Sequence, residues 1–184
     1  MIFYDFEVFK FDWLVVLIDM EEQKETVIVN DPEQMKQFYE DHKKDIWTGC
    51  NNHHYDDWVA KGIIWGFDPY DINKHIIIKG LAGWTYSNLL RKVKLISYDV
   101  FTRIDRGLKP WEGFLGNMIK ESSVDFSINR KLTDKEIKEV IKYCRHDVEN
   151  TIEVFLEKKS DYDAIVGLIY MFNDDLSIVD DIGL

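Results

Sequence analysis

The run MIFYDFEVFKFDWLVVLIDM at residues 1–20 constrains the fold most, because it is dense in aromatic and branched side chains and yet carries acids inside its apolar stretches. With KETVIVN beyond the polar turn EEQK, it reads as successive strands of an antiparallel meander. Alternate side chains of a strand share a face, so Asp5 and Glu7 in FYDFEVF project together while Phe6 and Val8 point the other way. On the solvated side of an edge strand the two acids would be surface charges. Near a sheet centre they would repel one another and lose hydration unless cations neutralise them.

The pattern then changes from strands to alternation of strand and helix. Asp31 followed by Pro32 is a helix start, with the acid at the cap and proline in the first turn. DIWTGC reads as a short strand, NNHHYD as a polar loop, and DWVAKGII as the opening of a second helix. Residues 66–90 are poorly periodic and read mostly as loop, VKLISYDV as a further strand, and KPWEGFLGNMI as a helix with Pro110 near its start. Thr133 with Glu136 forms a capping box, after which Ile137, Val140, Ile141, Cys144, Val148, Ile152 and Phe155 recur at helical spacing over about 134–158. Ser160 is placed to cap a last helix, DYDAIVGLIYMF, and NDDLSIVDDIGL runs out with no core signal of its own. The expected class is α/β, with a central mixed sheet flanked by helices.

At 184 residues the chain suits a single domain, and 46% hydrophobic and 14% aromatic residues supply enough apolar surface for a core. Cys50 and Cys144 lie far apart without CxxC spacing, which argues against a disulfide framework or a zinc site and fits a reducing, cytoplasmic setting. No signal peptide or membrane helix is indicated. The net charge of −11 repels polyanions and excludes a broad duplex-binding surface, so any nucleic-acid contact must be local. Basic clusters such as RKVK at 91–94 and NRK at 129–131, or cations gathered by the carboxylates, could provide it.

Two further fragments carry acids where chemistry could use them. Asp56 stands at a strand-to-helix junction, either as a helix cap or as a carboxylate exposed by the loop. Tyr143 and Asp147 are four apart on the long helix and share one face, either as a core-edge tyrosine beside a surface aspartate or as a working pair.

In order, these read Asp-x-Glu, then Asn-x-x-Tyr-Asp from Asn52 to Asp56, then Tyr-x-x-x-Asp from Tyr143 to Asp147. That ordered set resembles the DEDD exonuclease superfamily in its tyrosine subclass, in particular the 3′→5′ proofreading domain of phage family B DNA polymerases. YDFE at residues 4–7 matches the first motif, and LISYDV and LKPWEGFLG are also similar to that family. The resemblance spans roughly residues 2–157. It implies an RNase H-like fold with the acids converging at the sheet centre. It also implies two divalent cations, Mg²⁺ or Mn²⁺, held by Asp5, Glu7, Asp56 and Asp147 for in-line hydrolysis at phosphorus.

In that family Tyr143 would position the attacking water or the scissile phosphate. Asn52 and Tyr55 match positions that contact a single-stranded 3′ end, although Tyr55 serves equally as core packing. Phe101 falls where protein-primed phage polymerases touch the terminal nucleotides. Lys120 resembles a lysine that approaches the scissile phosphate, or is an exposed helix-end lysine. The histidine subclass places its base five residues before the last aspartate, where this chain has Lys142, so His146 is not read as a base; His53 and His54 read as loop residues.

The implied activity is removal of nucleoside 5′-monophosphates from a single-stranded or frayed DNA 3′ end. No family B palm motif of the Asp-x-x-Ser-Leu-Tyr-Pro type is found. The chain therefore reads as a stand-alone exonuclease or as part of a polymerase in which about 160–184 form a connector, with a polymerase module as partner in cis or in trans. The alternatives are a silent DNA-binding or scaffolding domain and an RNase H-like nuclease acting on RNA or on internal bonds.

Overall fold

The computed structural model describes residues 1–101, 108, 113, 123–176 and 182. Its centre is a five-stranded mixed open sheet in the order β3-β2-β1-β4-β5, flanked by helices. β1 (Ile2–Val8), β2 (Trp13–Asp19) and β3 (Lys24–Val29) form the expected antiparallel meander. The chain then crosses through α1 (Pro32–His42) to β4 (Ile46–Gly49), which pairs parallel with the other edge of β1, and β5 (Ile96–Asp99) extends the sheet in parallel. β1 is thus central, which removes the edge-strand reading of Asp5 and Glu7.

The start signal at α1 works as read: the Asp31 carboxylate accepts from Gln34 N at 2.9 Å and Pro32 opens the helix. α2 (Asp56–Trp65) follows β4. The stretch expected to be mostly loop instead contains α3 (Pro69–Asn73), which runs on into one π-helical turn at Lys74–Ile78. Its signal is the same Asp-Pro pair, here Asp68 accepting from Tyr70 N at 2.8 Å. It was masked because the contiguous Ile76, Ile77 and Ile78 break helical periodicity.

α4 (Asp134–Glu157) is the long helix, started by a complete Thr133–Glu136 capping box. α5 (Lys159–Tyr170) follows after Lys158 alone. Ser160 therefore lies inside the first turn of α5 and caps nothing: the two helices are too closely joined to leave room for a cap residue there. The tail also departs from expectation, because Ile182 is buried and its backbone N donates to Ser97 O at 2.8 Å. The helix expected around Pro110 falls almost wholly outside the described residues, and Lys120 with it.

The two faces of β1 seed two cores. Ile2, Tyr4, Phe6 and Val8 join Trp13, Val15, Leu17, Trp47 and the inner side of α2. Phe3 and Phe9 join Leu14, Val16, Tyr98 and the Val140, Cys144, Val148 stripe of α4. Each fully buried Phe or Leu contributes about 1.5–3 kcal/mol. Asp5 and Glu7 lie on the second face, between Phe3 and Phe9, under α4. Among the described residues no helix is long and apolar enough to cross a membrane.

Candidate active site

Among the described residues β1 and β4 are paired at Ile2–Trp47 and Phe3–Thr48, the place where the chain switches from one side of the sheet to the other. Such switch points are where open α/β sheets place ligands. Among the described residues no strand pairs with β1 on that side beyond Phe3, and the amide of Phe6 donates instead to Asp56 Oδ1 at 3.1 Å. This bond fixes Asp56 against β1. Tyr55 occupies the cap position of α2 without a side-chain cap bond and Asp56 is the first helical residue, so the cap reading of Asp56 gives way to this strand contact.

The loop that delivers α2 is tightly held. Gly49 ends β4 where a Cβ would come within 2.7 Å of Asn52 Cβ and 3.3 Å of Tyr4 O, so only glycine fits without displacement. Asn51 follows in the left-handed region at φ 64°. The carboxylate of Asp99, at the end of β5, accepts from the backbone amides of Asn51 (2.7 Å), His53 (3.3 Å) and Phe101 (2.8 Å). Burial pushes the Asp99 pKa up, and the His53 charge and these three amides pull against that rise. Asp99 was not singled out in the sequence, although Tyr98-Asp99 at the end of β5 repeats the Tyr4-Asp5 pair of β1.

Asp5 is the hub of the acids. A ligand atom from each of Asp5, Glu7 and Cys144 lies within 4.8 Å of the other two, a grouping able to hold a metal ion. Burial, followed by the negative charge of Asp5, raises the Asp56 pKa well above the usual carboxylate range, while the Phe6 amide opposes the rise. On α4, burial first and then the Asp147 carboxylate hold the Tyr143 hydroxyl far above its ordinary value. Tyr143 hydrogen-bonds Asp147, and Glu7 and Asp5 add to the shift. Asp5 and Glu7 lie together on β1, Asp56 at the start of α2 is within electrostatic reach of Asp5, and the hydrogen-bonded Tyr143–Asp147 pair of α4 has Tyr143 within electrostatic reach of Glu7 and Asp5.

Cys144 was read only as part of the apolar stripe of α4. Its Sγ donates to Asp5 O at 3.2 Å and approaches Asp5 Oδ2 at 3.5 Å. Burial and the Asp5 and Glu7 charges keep it a thiol, so it acts as a donor beneath Asp5 rather than as a thiolate ligand. The oxygens of Asp5, Glu7, Asp56 and Asp147 are the donor type that suits a hard divalent cation, and burial first and the Asp5 charge second disfavour an ionised Asp56 in the absence of one.

The substrate-contact candidates are placed less uniformly. Asn52 is fully buried, and its Nδ2 donates to Asp57 Oδ1 (3.1 Å) and Ser97 Oγ (2.9 Å), which turns the amide into the core. Tyr4 and Ser97 hydroxyls donate to the same Asp57 oxygen. Asp57 carries no local signal of this buried network, because its partners Tyr4 and Ser97 are 53 and 40 residues away. Tyr55 is half-buried against the first core and its hydroxyl donates to Asn73 Oδ1 at 2.8 Å. Burial, then the Asp56, Glu7 and Asp5 charges, raise its pKa. Phe101 is half-buried just past β5. His146 has its Nε2 3.1 Å from Asn150 Nδ2. Cys50 and Cys144 are both free thiols.

No family model, curated protein or solved structure matches the chain.

Proposed function

We propose that the chain is a metal-dependent 3′→5′ exonuclease domain of the DEDD superfamily with an RNase H-like fold, acting on single-stranded or frayed DNA ends. What supports this reading is that Asp5 and Glu7 lie together on the central strand of a mixed sheet, with Asp56 of α2 within electrostatic reach of Asp5 and Tyr143, bonded to Asp147 on α4, within reach of both. Four carboxylates and a tyrosine gathered at a switch point have little structural purpose of their own, since like charges there raise the cost of folding.

Asp5, Glu7, Asp56 and Asp147 would hold two divalent cations, Mg²⁺ or Mn²⁺, which when bound favour a nucleophilic water and stabilise charge on the leaving 3′ oxygen. The Tyr143 hydroxyl stays protonated because burial and Asp147 disfavour phenolate, so it donates hydrogen bonds and orients the attacking water or the scissile phosphate instead of removing a proton. Tyr55, next to Asp56, would contact the terminal nucleotide. Asp99 keeps the β4–α2 loop in register so that Asp56 meets Asp5. The family resemblance extends the proposal to proofreading in a phage family B DNA polymerase, with a polymerase module in cis or in trans.

The test is digestion of a 5′-labelled single-stranded DNA with Mg²⁺, Mn²⁺ or EDTA, beside the Asp5→Ala/Glu7→Ala variant. A metal-dependent ladder that shortens from the 3′ end, releases mononucleotides and is absent in the variant supports the reading. Oligonucleotide products would make it an endonuclease, and no digestion by folded protein would make it a silent binding domain.

A further inference from the structure

A second pattern of charge and aromatic rings lies beside the acids. Residues 58–94 carry six lysines and arginines against two aspartates, net +4 within a chain of net charge −11. Trp58, Lys61 and Trp65 fall at i, i+3 and i+7 on α2 and so share one face of that helix. Lys61 Nζ lies 4.8 Å from the Trp58 ring centroid, and Lys92 Nζ lies 5.7 Å from that of Trp65. Trp84 meets Trp58 edge to face at 6.3 Å. Gly83 permits that seat, because a Cβ there would stand 2.2 Å from Trp58 Cγ. Trp58 is further pinned by its Nε1, which donates to His53 O at 2.8 Å.

The outcome is two large rings held out into solvent on a rigid base: Trp65 is 42% and Trp84 44% exposed, with Arg91 and Lys92 exposed nearby. The face lies about 200° around α2 from Asp56, two residues on, and runs along the helix for about 10 Å, at 1.5 Å per residue.

We propose that this face is a track for single-stranded nucleic acid on the side of α2 away from Asp56, with bases stacking on Trp84 and Trp65 and phosphates meeting Arg91 and Lys92. The track rests on the exonuclease reading for its direction toward the 3′ end. Exposed rings bracketed by cations are the pattern of strand-binding grooves, in which stacking tolerates any base and the charge follows the backbone. The centres of protein-protein contacts are instead depleted in lysine. The remainder of the chain is strongly acidic, so a strand drawn to this face is repelled elsewhere and confined to it.

The test is fluorescence anisotropy of a 5′-fluorescein oligothymidylate of about 12 nucleotides, within the usual site sizes, titrated in EDTA with the full chain. Trp65→Ala and Trp84→Ala should each weaken binding at least about fivefold, and Trp84→Phe should restore most of the loss. Arg91→Gln/Lys92→Gln should lower the slope of log K against log salt by about 1.4. Phe172→Ala, an exposed ring outside the track, should bind as wild type. Affinity unchanged in the tryptophan variants overturns the track and leaves the face to a protein partner; an equal loss in Phe172→Ala also overturns it. Binding in EDTA needs no hydrolysis. A chain that digests DNA but ignores these substitutions loses the track alone, and one that digests nothing yet shows them loses the exonuclease alone.

Discussion

Asp56 and Asp57 are neighbours at the start of α2, both buried, and they meet opposite surroundings. Asp57 receives hydrogen bonds from Tyr4, Asn52 and Ser97 on one oxygen, inside the core that Tyr4 and Phe6 seal. Asp56 receives the Phe6 amide but faces Asp5, and burial and that charge raise its pKa. One carboxylate is built into the fold and the other is kept crowded. The difference teaches that burial alone does not mark a working acid: what counts is whether the fold surrounds it with donors or with more negative charge.

Substitutions should separate the two surroundings, the largest effects first. Asp57→Ala leaves three buried donors without their acceptor and should cost about 3–5 kcal/mol in urea denaturation. Asp5→Asn should act in the reverse sense: metal-free stability unchanged or higher by about 1 kcal/mol, yet nuclease turnover lower by about 10³-fold, as expected when a metal ligand worth several kcal/mol is lost. If Asp5→Asn unfolds the protein as readily as Asp57→Ala, the contrast fails. Tyr143→Phe removes one hydrogen bond to a charged partner and should slow turnover about 10- to 100-fold with Mn²⁺ affinity kept; an unchanged rate would make Tyr143 a packing residue.

The raised Asp56 pKa also fixes a sign. The metal-free fold holds a proton on Asp56 above the pH at which the unfolded chain gives it up, so Asp56 favours the metal-free fold at low pH and loses that contribution as pH rises through its folded pKa. A bound cation reverses the preference. Mn²⁺ affinity should therefore rise with pH and binding should release a proton, which calorimetry in buffers of different ionisation enthalpy would detect and Asp56→Asn would abolish.

The smallest effect concerns Glu25, which joins Arg145 in a two-pronged ion pair at 2.5 and 2.7 Å that ties β3 to α4. The Arg145 hydrogen bonds hold the Glu25 pKa below the usual range, so the pair stabilises above the ordinary carboxylate pKa and is lost as pH falls through the folded value. Partly exposed, it should be worth about 0.5 kcal/mol, and Glu25→Gln should show that loss in thermal melts at neutral pH and none in strong acid.

What the sequence revealed followed from periodicity and local signals. Strand alternation placed Asp5 and Glu7 on one face, the capping box set the start of α4, and four-residue spacing paired Tyr143 with Asp147. What it hid depends on long-range contact. Nothing in NNHHYDD tells that Asn52 and Asp57 turn into the core while Asp56 turns to β1, because that division is made by Tyr4 and Ser97, 48 and 45 residues from Asn52. Cys144 looked like any apolar helix residue until β1 was packed beneath it. Asp99 gathers amides from a loop that begins at Asn51, and Ser160 lost its expected role to the single-residue joint between α4 and α5.

The central claim is that the Asp5 face of β1 exists to hold cations, and counting bound Mn²⁺ by electron paramagnetic resonance tests it most directly. Titrated into wild type and into Asp5→Asn/Glu7→Gln, Mn²⁺ should fill two sites in the first and neither in the second, with both proteins folded by circular dichroism. A wild type that binds no ion, or a variant that binds the same two, would contradict the account.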